Sequence, residues 1–406
     1  MRVLMTWTWP THYLHMVPLG WALRAAGHEV RVASRPGHVA ATVRSGLPAV
    51  AVGRDVDVMA AARRSAASGD GGAADERRWT APHRERVLRA IGTWARVADA
   101  MVDDLLGFGR AWRPDLVVFD PMAYAGALAA AALDVPAARH LWGVDLAYGD
   151  RHRDPGLLGD VPEFGPLLGR LGLPGFDDLG DLTLDPFPPS LQIPAPIPRR
   201  TVRYVPYNGP GAEPDWTLAP PRRPRICVTW GTTGGQYAAE GYFHGSAAVA
   251  AAAELDVEVV VATTPEQRPL YGDLPDGVRV AESVPLHMLL RHCSAIVHQG
   301  GGGTTLTALD AGVRQLVVGH LPDHRLHGHK IAAAGAGIVR EATGTDAAAL
   351  RADLVRLLSE PRFGERTAAL RAEVRAQPAP AAVVPDLERL AAGVPAGAAA
   401  GPVPVG

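Results

Sequence analysis

Lysine is nearly absent from this chain: Lys330 is the only one, and arginine supplies the rest of the 40 basic side chains. Set against 42 acidic residues, that leaves a formal net charge of −2, without the basic excess that gripping a phosphate backbone demands. Nucleic acid is therefore not an expected partner. Cysteine is scarce too: Cys227 and Cys293 sit in or beside expected strands and form no spaced ligand set, so both read as buried and reduced. No stretch reaches the roughly 18 uninterrupted apolar residues of a membrane span, and the opening MRVLMTWTWPTH is too short an apolar run for a signal-peptide core. A cytoplasmic protein with no membrane partner is expected.

Apolar residues are plentiful. At 406 residues the chain exceeds one ordinary core of about 100 to 200 residues, which favours two domains with a cleft between them. A hydrophobic fraction of 47% and a mean hydropathy of +0.03 suffice to fill two cores. The first elements read as a strand over residues 2–6, a loop with Pro10 to His12, a helix ending near Ala26 and a strand over 29–33, with Gly27 as the helix stop. A buried strand at 114–119 and a small-residue helix over 121–132 repeat the βαβ pattern, so the sheet is parallel.

Residues 60–80 mix charge, Gly and Ala without an apolar stripe and read as a mobile loop over the cleft. Residues 185–221 are too rich in proline for interior sheet or helix. We place a first α/β domain at 1–205, the linker at 206–223, a second α/β domain at 224–380, a closing helix at 381–393 and a patternless, disordered tail at 394–406. The second domain's strands are expected over 225–230, 258–262, 278–281, 295–297 and 315–318.

The most specific motif is AIVHQGGGGTTLTALDAGV, residues 295–313, where a buried strand ends at His298, four glycines follow and a helix begins around Thr304. Unhindered N–H groups and the helix dipole at such a turn suit a diphosphate, while a plain Gly-rich turn is the competing reading. No Lys-Ser or Lys-Thr closes it as a Walker A loop would. After the strand QLVVG, Asp323 and His324 emerge at a sheet's carboxyl edge, where donor hydroxyls are held. His324, His327 and His329 share helical spacing, but no Cys or acidic pair completes a metal site, and Asp55-Val56-Asp57 reads as a solvated strand end. No metal is expected.

In the first domain His12 stands at a helix N-terminus, whose dipole favours the neutral imidazole of a base. Asp120, ending the strand DLVVFD, is placed to pair with it, although Asp before Pro is also a common helix cap.

Together these segments, with PTHYLHMVPLGWALRAAGHEV and VPYNGPGAEPDW, resemble the antibiotic and natural-product members of glycosyltransferase family 1, of the calicheamicin and angucycline type. That resemblance covers nearly the whole chain and implies the GT-B fold, two facing Rossmann-like α/β domains with parallel sheets. It implies His12 as the base, Asp120 as its orienting partner, and His298 with Gly300, Gly301, Gly302, Gly303 and Thr304 around the diphosphate. It also implies Asp323 on the sugar hydroxyls, Val284 at the nucleobase and Thr232 facing the phosphates. The family's Asp-Gln-x-x-Asn pattern is altered here, with His324 and His327 in place of the amides, which fits a deoxygenated sugar.

The implied reaction is an inverting single displacement, with a dTDP-linked deoxysugar as co-substrate and no separate cofactor. Acceptor contacts are expected from Trp7, Trp9, Tyr13, Met16, Met59, Met122, Tyr124 and Trp142, flat walls for an enediyne or aromatic polyketide aglycon. For Met16, Met122 and Tyr124 core packing is an equal alternative. A nucleotide-sugar epimerase and a silent homologue assisting a partner are the competing functions. The apolar loops oppose the first and the His12/Asp120 pair opposes the second. A homodimer is left open.

Overall fold

The computed structural model describes residues 1–58, 79–232 and 242–394, so Met59, most of the expected mobile loop and the tail from 395 lie outside the described residues. The first sheet contains β1 (Arg2–Thr6), β2 (Glu29–Ser34), β3 (Ala49–Ala51), β4 (Leu116–Phe119), β5 (Ala137–His140), β6 (Leu182–Asp185) and β7 (Arg199–Thr201). Their order is β3-β2-β1-β4-β5-β6-β7, and every pairing is parallel. Its helices are α1 (Pro10–Ala25), α2 (Val39–Arg44), α3 (Ala81–Trp112), α4 (Tyr124–Leu133), α5 (Leu146–Arg153) and α6 (Phe164–Leu171).

The second sheet has β8 (Arg225–Thr229), β9 (Glu258–Thr263), β10 (Arg279–Glu282), β11 (Ala295–His298), β12 (Arg314–Gly319) and β13 (Gly337–Glu341) in the parallel order β10-β9-β8-β11-β12-β13. Helices α7 (Gly245–Ala253), α8 (Leu286–Leu290), α9 (Gly302–Ala311), α10 (Pro322–Ala333), α11 (Ala347–Ser359), α12 (Pro361–Ala376) and α13 (Pro380–Ala391) complete the described chain. None of these helices is long and apolar enough to cross a membrane.

The unalternated apolar strands follow from burial on both faces. Along β1, Leu4 joins one core with Val117, Phe119 and residues of α3 and α4, while Val3 and Met5 join the other with α1. Helix α13 belongs to that second core through Val383, Val384, Leu387 and Leu390. The chain thus crosses between the lobes twice, and the crossings are tied where Arg203 N donates to Pro378 O at 2.7 Å.

Each sheet reverses its strand order once, between β1 and β4 in the first lobe and between β8 and β11 in the second. Loops leaving the carboxyl ends of such neighbouring strands part in opposite directions and open a crevice. Residues 7–9 and 120–123 flank the first crevice, and residues 230–232 and 299–301 flank the second.

Candidate active site

The helix expected from residue 121 begins later, at Tyr124, because Asp120 first folds the chain into a turn: its carbonyl accepts from Ala123 N at 2.8 Å and its Oδ1 from Met122 N at 2.9 Å. The fully buried carboxylate also accepts from Thr8 N through Oδ2 at 2.8 Å. These donors fix its orientation. Its Oδ1 lies 3.3 Å from Nδ1 of His12, which is nine-tenths buried in the first turn of α1. Since a carboxylate only accepts, Nδ1 carries the proton, and the free lone pair is on Nε2.

Over the His12 ring lies Trp142, from the loop after β5, stacked with centroids 4.1 Å apart and planes at 7°. This loop also meets the second lobe. Val144 N donates to His327 Nε2 at 3.1 Å, and His327 Nδ1 donates to Gly300 O at 2.8 Å. The two bonds require a neutral imidazole, and burial pushes His327 below the usual histidine range. A Cβ on Gly302 would overlap Trp142 O, so the glycine lets the lobes touch.

On the second lobe the Gly-rich turn leads into α9 two residues earlier than expected, because Gly300 turns the chain at φ +99 and Gly301 is the N-cap. No side chain caps α9, which leaves the N–H groups of its first turn free for a ligand. Gly301, Gly302, Gly303 and Thr304 line a cavity of about 880 Å³ that His12 lines from the other side. Thr232, Val284, Asp323 and His324 stand on its second-lobe wall. Burial lowers His324, whose Nδ1 has no hydrogen-bond partner.

Not every expected site residue reaches the cavity. His298 is fully buried: its Nδ1 accepts from Gly300 N at 3.1 Å and its Nε2 donates to Gln315 Oε1 at 3.0 Å, with burial pushing the ring down to about 3. It braces the turn from beneath, and Gly300 likewise lies behind the wall, against His324 O. Trp7, Tyr13 and Met16 are also fully buried in the first lobe's core. Trp7 stacks on Tyr13 at 4.8 Å, and Tyr13 Oη pairs with Ser45 Oγ at 2.6 Å. The helical period explains the difference, since Tyr13, Met16, Val17 and Gly20 face the sheet whereas His12 and His15 face the cleft.

Trp9, Met122, Tyr124 and Trp142 do line the cavity, joined by three α3 residues that sequence reasoning passed over, Val87, Ile91 and Trp94. Their i, i+4, i+7 spacing was the available signal. Trp94 meets Trp9 edge-on at 6.2 Å. Among the described residues no three His, Cys, Asp or Glu side chains cluster to hold a metal ion. The histidines of α10 diverge, with His329 turned towards Glu341 at 3.5 Å. Asp55 accepts instead from Gly37 N at 3.0 Å.

Two family models match, the Erythromycin biosynthesis protein CIII-like N-terminal domain over residues 21–231 and its C-terminal domain over residues 246–390. The aklavinone 7-beta-L-rhodosaminyltransferase of Streptomyces galilaeus is 39% identical over 97% of this chain and 96% of its own length. The 10-deoxymethynolide desosaminyltransferase of Streptomyces venezuelae is 38% identical over 97% of each chain. The crystal structure of the glycosyltransferase VinC in complex with dTDP superposes with a TM-score of 0.81, at 35% identity, over 97% of this chain and 100% of that one. The fold is that of these GT-B glycosyltransferases.

Proposed function

Because the chain belongs to the Erythromycin biosynthesis protein CIII-like family and is a glycosyltransferase, we propose that it moves a deoxysugar from dTDP onto a hydroxyl of an apolar polyketide aglycon, with inversion and with His12 as the base. One observation carries this reading: the His12–Asp120 pair and the uncapped start of α9 open from opposite lobes onto the same cavity.

The diphosphate takes the free N–H groups of Gly302, Gly303 and Thr304, where the helix dipole and low-dielectric walls favour its charge. Thymine lies towards Val284, and Asp323 accepts from a sugar hydroxyl. The acceptor rests against Trp9, Trp94 and Trp142. His12 Nε2 removes its hydroxyl proton as the oxygen attacks the anomeric carbon. A carbon–oxygen bond forms on one face while the bond to the β-phosphate oxygen breaks on the other, and dTDP departs with the electron pair. The proton stays on His12, and Asp120 stabilises the imidazolium.

The acceptor names of the relatives, aklavinone and 10-deoxymethynolide, support an aglycon of polyketide size, and the dTDP bound to VinC supports the nucleotide. The aromatic wall accepts an enediyne or aromatic polyketide as well as a macrolactone. Mass spectrometry of the protein incubated with dTDP-deoxysugars and a panel of these aglycons tests the reading. A glycosylated product of inverted anomeric configuration is expected, and retention of configuration or the absence of transfer overturns it.

A further inference from the structure

One cavity-lining side chain is used by none of the steps above. His15 stands one turn beyond His12 on α1, also nine-tenths buried, and lines the cavity. Its Nδ1 is enclosed without a hydrogen-bond partner. Its ring leans on Tyr204 at 5.5 Å, and the Tyr204 hydroxyl is anchored on Thr307 Oγ1 at 2.9 Å. The opposite edge of the ring points at the second lobe, where a Cβ built on Gly303 would stand 3.1 Å from His15 Nε2. Gly303 is the second residue of α9, within the uncapped turn.

We propose that His15 Nε2 donates a hydrogen bond to the diphosphate held at the start of α9, making it a first-lobe ligand of the leaving group. The inference rests on the donor site proposed above and adds a residue to it. Nδ1 is closed off, so a partner for this buried ring can arrive only at Nε2, on the side that faces Gly303 and the cavity. Burial pushes His15 well below the usual histidine range, so the ring is neutral and carries a single N–H. With no acceptor near Nδ1, that N–H is available at Nε2, facing the cavity. As the sugar–oxygen bond breaks, negative charge grows on the diphosphate, and a fixed donor in this enclosed site stabilises it. Helix α1 then carries the acceptor's base and a leaving-group donor three residues apart on one face.

Titration calorimetry with dTDP and with thymidine, on the wild type and on His15→Phe, His15→Leu and His15→Gln, tests the assignment. The Phe and Leu variants are expected to keep thymidine affinity and to lose about 10-fold or more in dTDP affinity, the scale of one hydrogen bond to a charged group. Gln, whose amide N–H reaches the same place, should recover part of the loss. In transfer assays kcat falls with the dTDP affinity. Unchanged dTDP affinity in both Phe and Leu variants overturns the inference, as does a matching loss for thymidine, and either result leaves the donor site standing. A wild-type protein that binds dTDP no better than thymidine overturns both.

Discussion

The two crevices are alike in topology and unlike in composition. Where the first sheet reverses, the chain supplies side chains, His12 and Asp120, each held by buried partners, and the loop after β5 lays Trp142 over the His12 ring. Where the second reverses, it supplies backbone, a run of four glycines and a helix start with no capping side chain. A proton-transfer group must carry a particular chemistry at a particular atom, whereas a diphosphate is satisfied by several N–H groups at close approach. The first crevice should therefore be sensitive to what a side chain is, and the second to whether there is one.

The largest expected effect tests that division directly. His12→Ala should reduce turnover by about 10² to 10⁴-fold while dTDP affinity, read by calorimetry, stays at the wild-type value. Full transferase activity in this variant would end the comparison. Asp120→Asn should lose less, because it leaves the imidazole in place, although it removes the charge that faces it and one of the two acceptor oxygens.

In the second lobe the smallest added side chain should do comparable damage by another route. Gly300→Ala places a Cβ 2.5 Å from His324 O at a φ of +99. Strain of about 1–3 kcal/mol is expected as a lower Tm, together with weaker dTDP binding. Normal dTDP binding by this variant would show that the turn does not depend on its glycine.

The gentlest expectation concerns pH. Burial holds His298 near 3 and His140 near 4, so the unfolded chain, with ordinary histidines near 6.5, binds more protons than the folded one. Their contribution to stability is complete above about pH 6.5 and is lost progressively as pH falls towards 4 for His140 and towards 3 for His298. Asp185, which burial pushes up to about 6, acts in the opposite sense and softens the slope. Urea unfolding from pH 7.5 to 5 should show stability declining. His298→Asn, which keeps an acceptor for Gly300 N, should flatten the decline.

Much of this arrangement is legible in the chain itself. Apolar runs such as LVVF and AIVH announce strands buried on both faces, and the four glycines after His298 announce a turn that must approach something closely. The His12–Asp120 pairing could be anticipated from two strand ends. What one dimension hides is the direction of side chains on elements with no polar face. Helix α1 is buried over most of its surface, so the helical period groups Tyr13 with Met16 and His12 with His15, but burial does not tell which pair packs on the sheet and which faces the cleft. His298 misleads in the same way. Its position beside the turn is evident, but its hydrogen bond to Gln315, on the neighbouring strand, turns the ring beneath the turn.

Helix α13 bears on how the molecule is made. It completes the core of the lobe formed by the chain's first half, yet it follows every element of the second lobe in sequence. As the polypeptide leaves the ribosome, the patch around Leu23, Val30 and Leu116 must wait for Val383, Val384, Leu387 and Leu390. The first lobe therefore reaches its full stability only after the whole second lobe has been synthesised, and until then its apolar flank is open to chaperones or to other nascent chains.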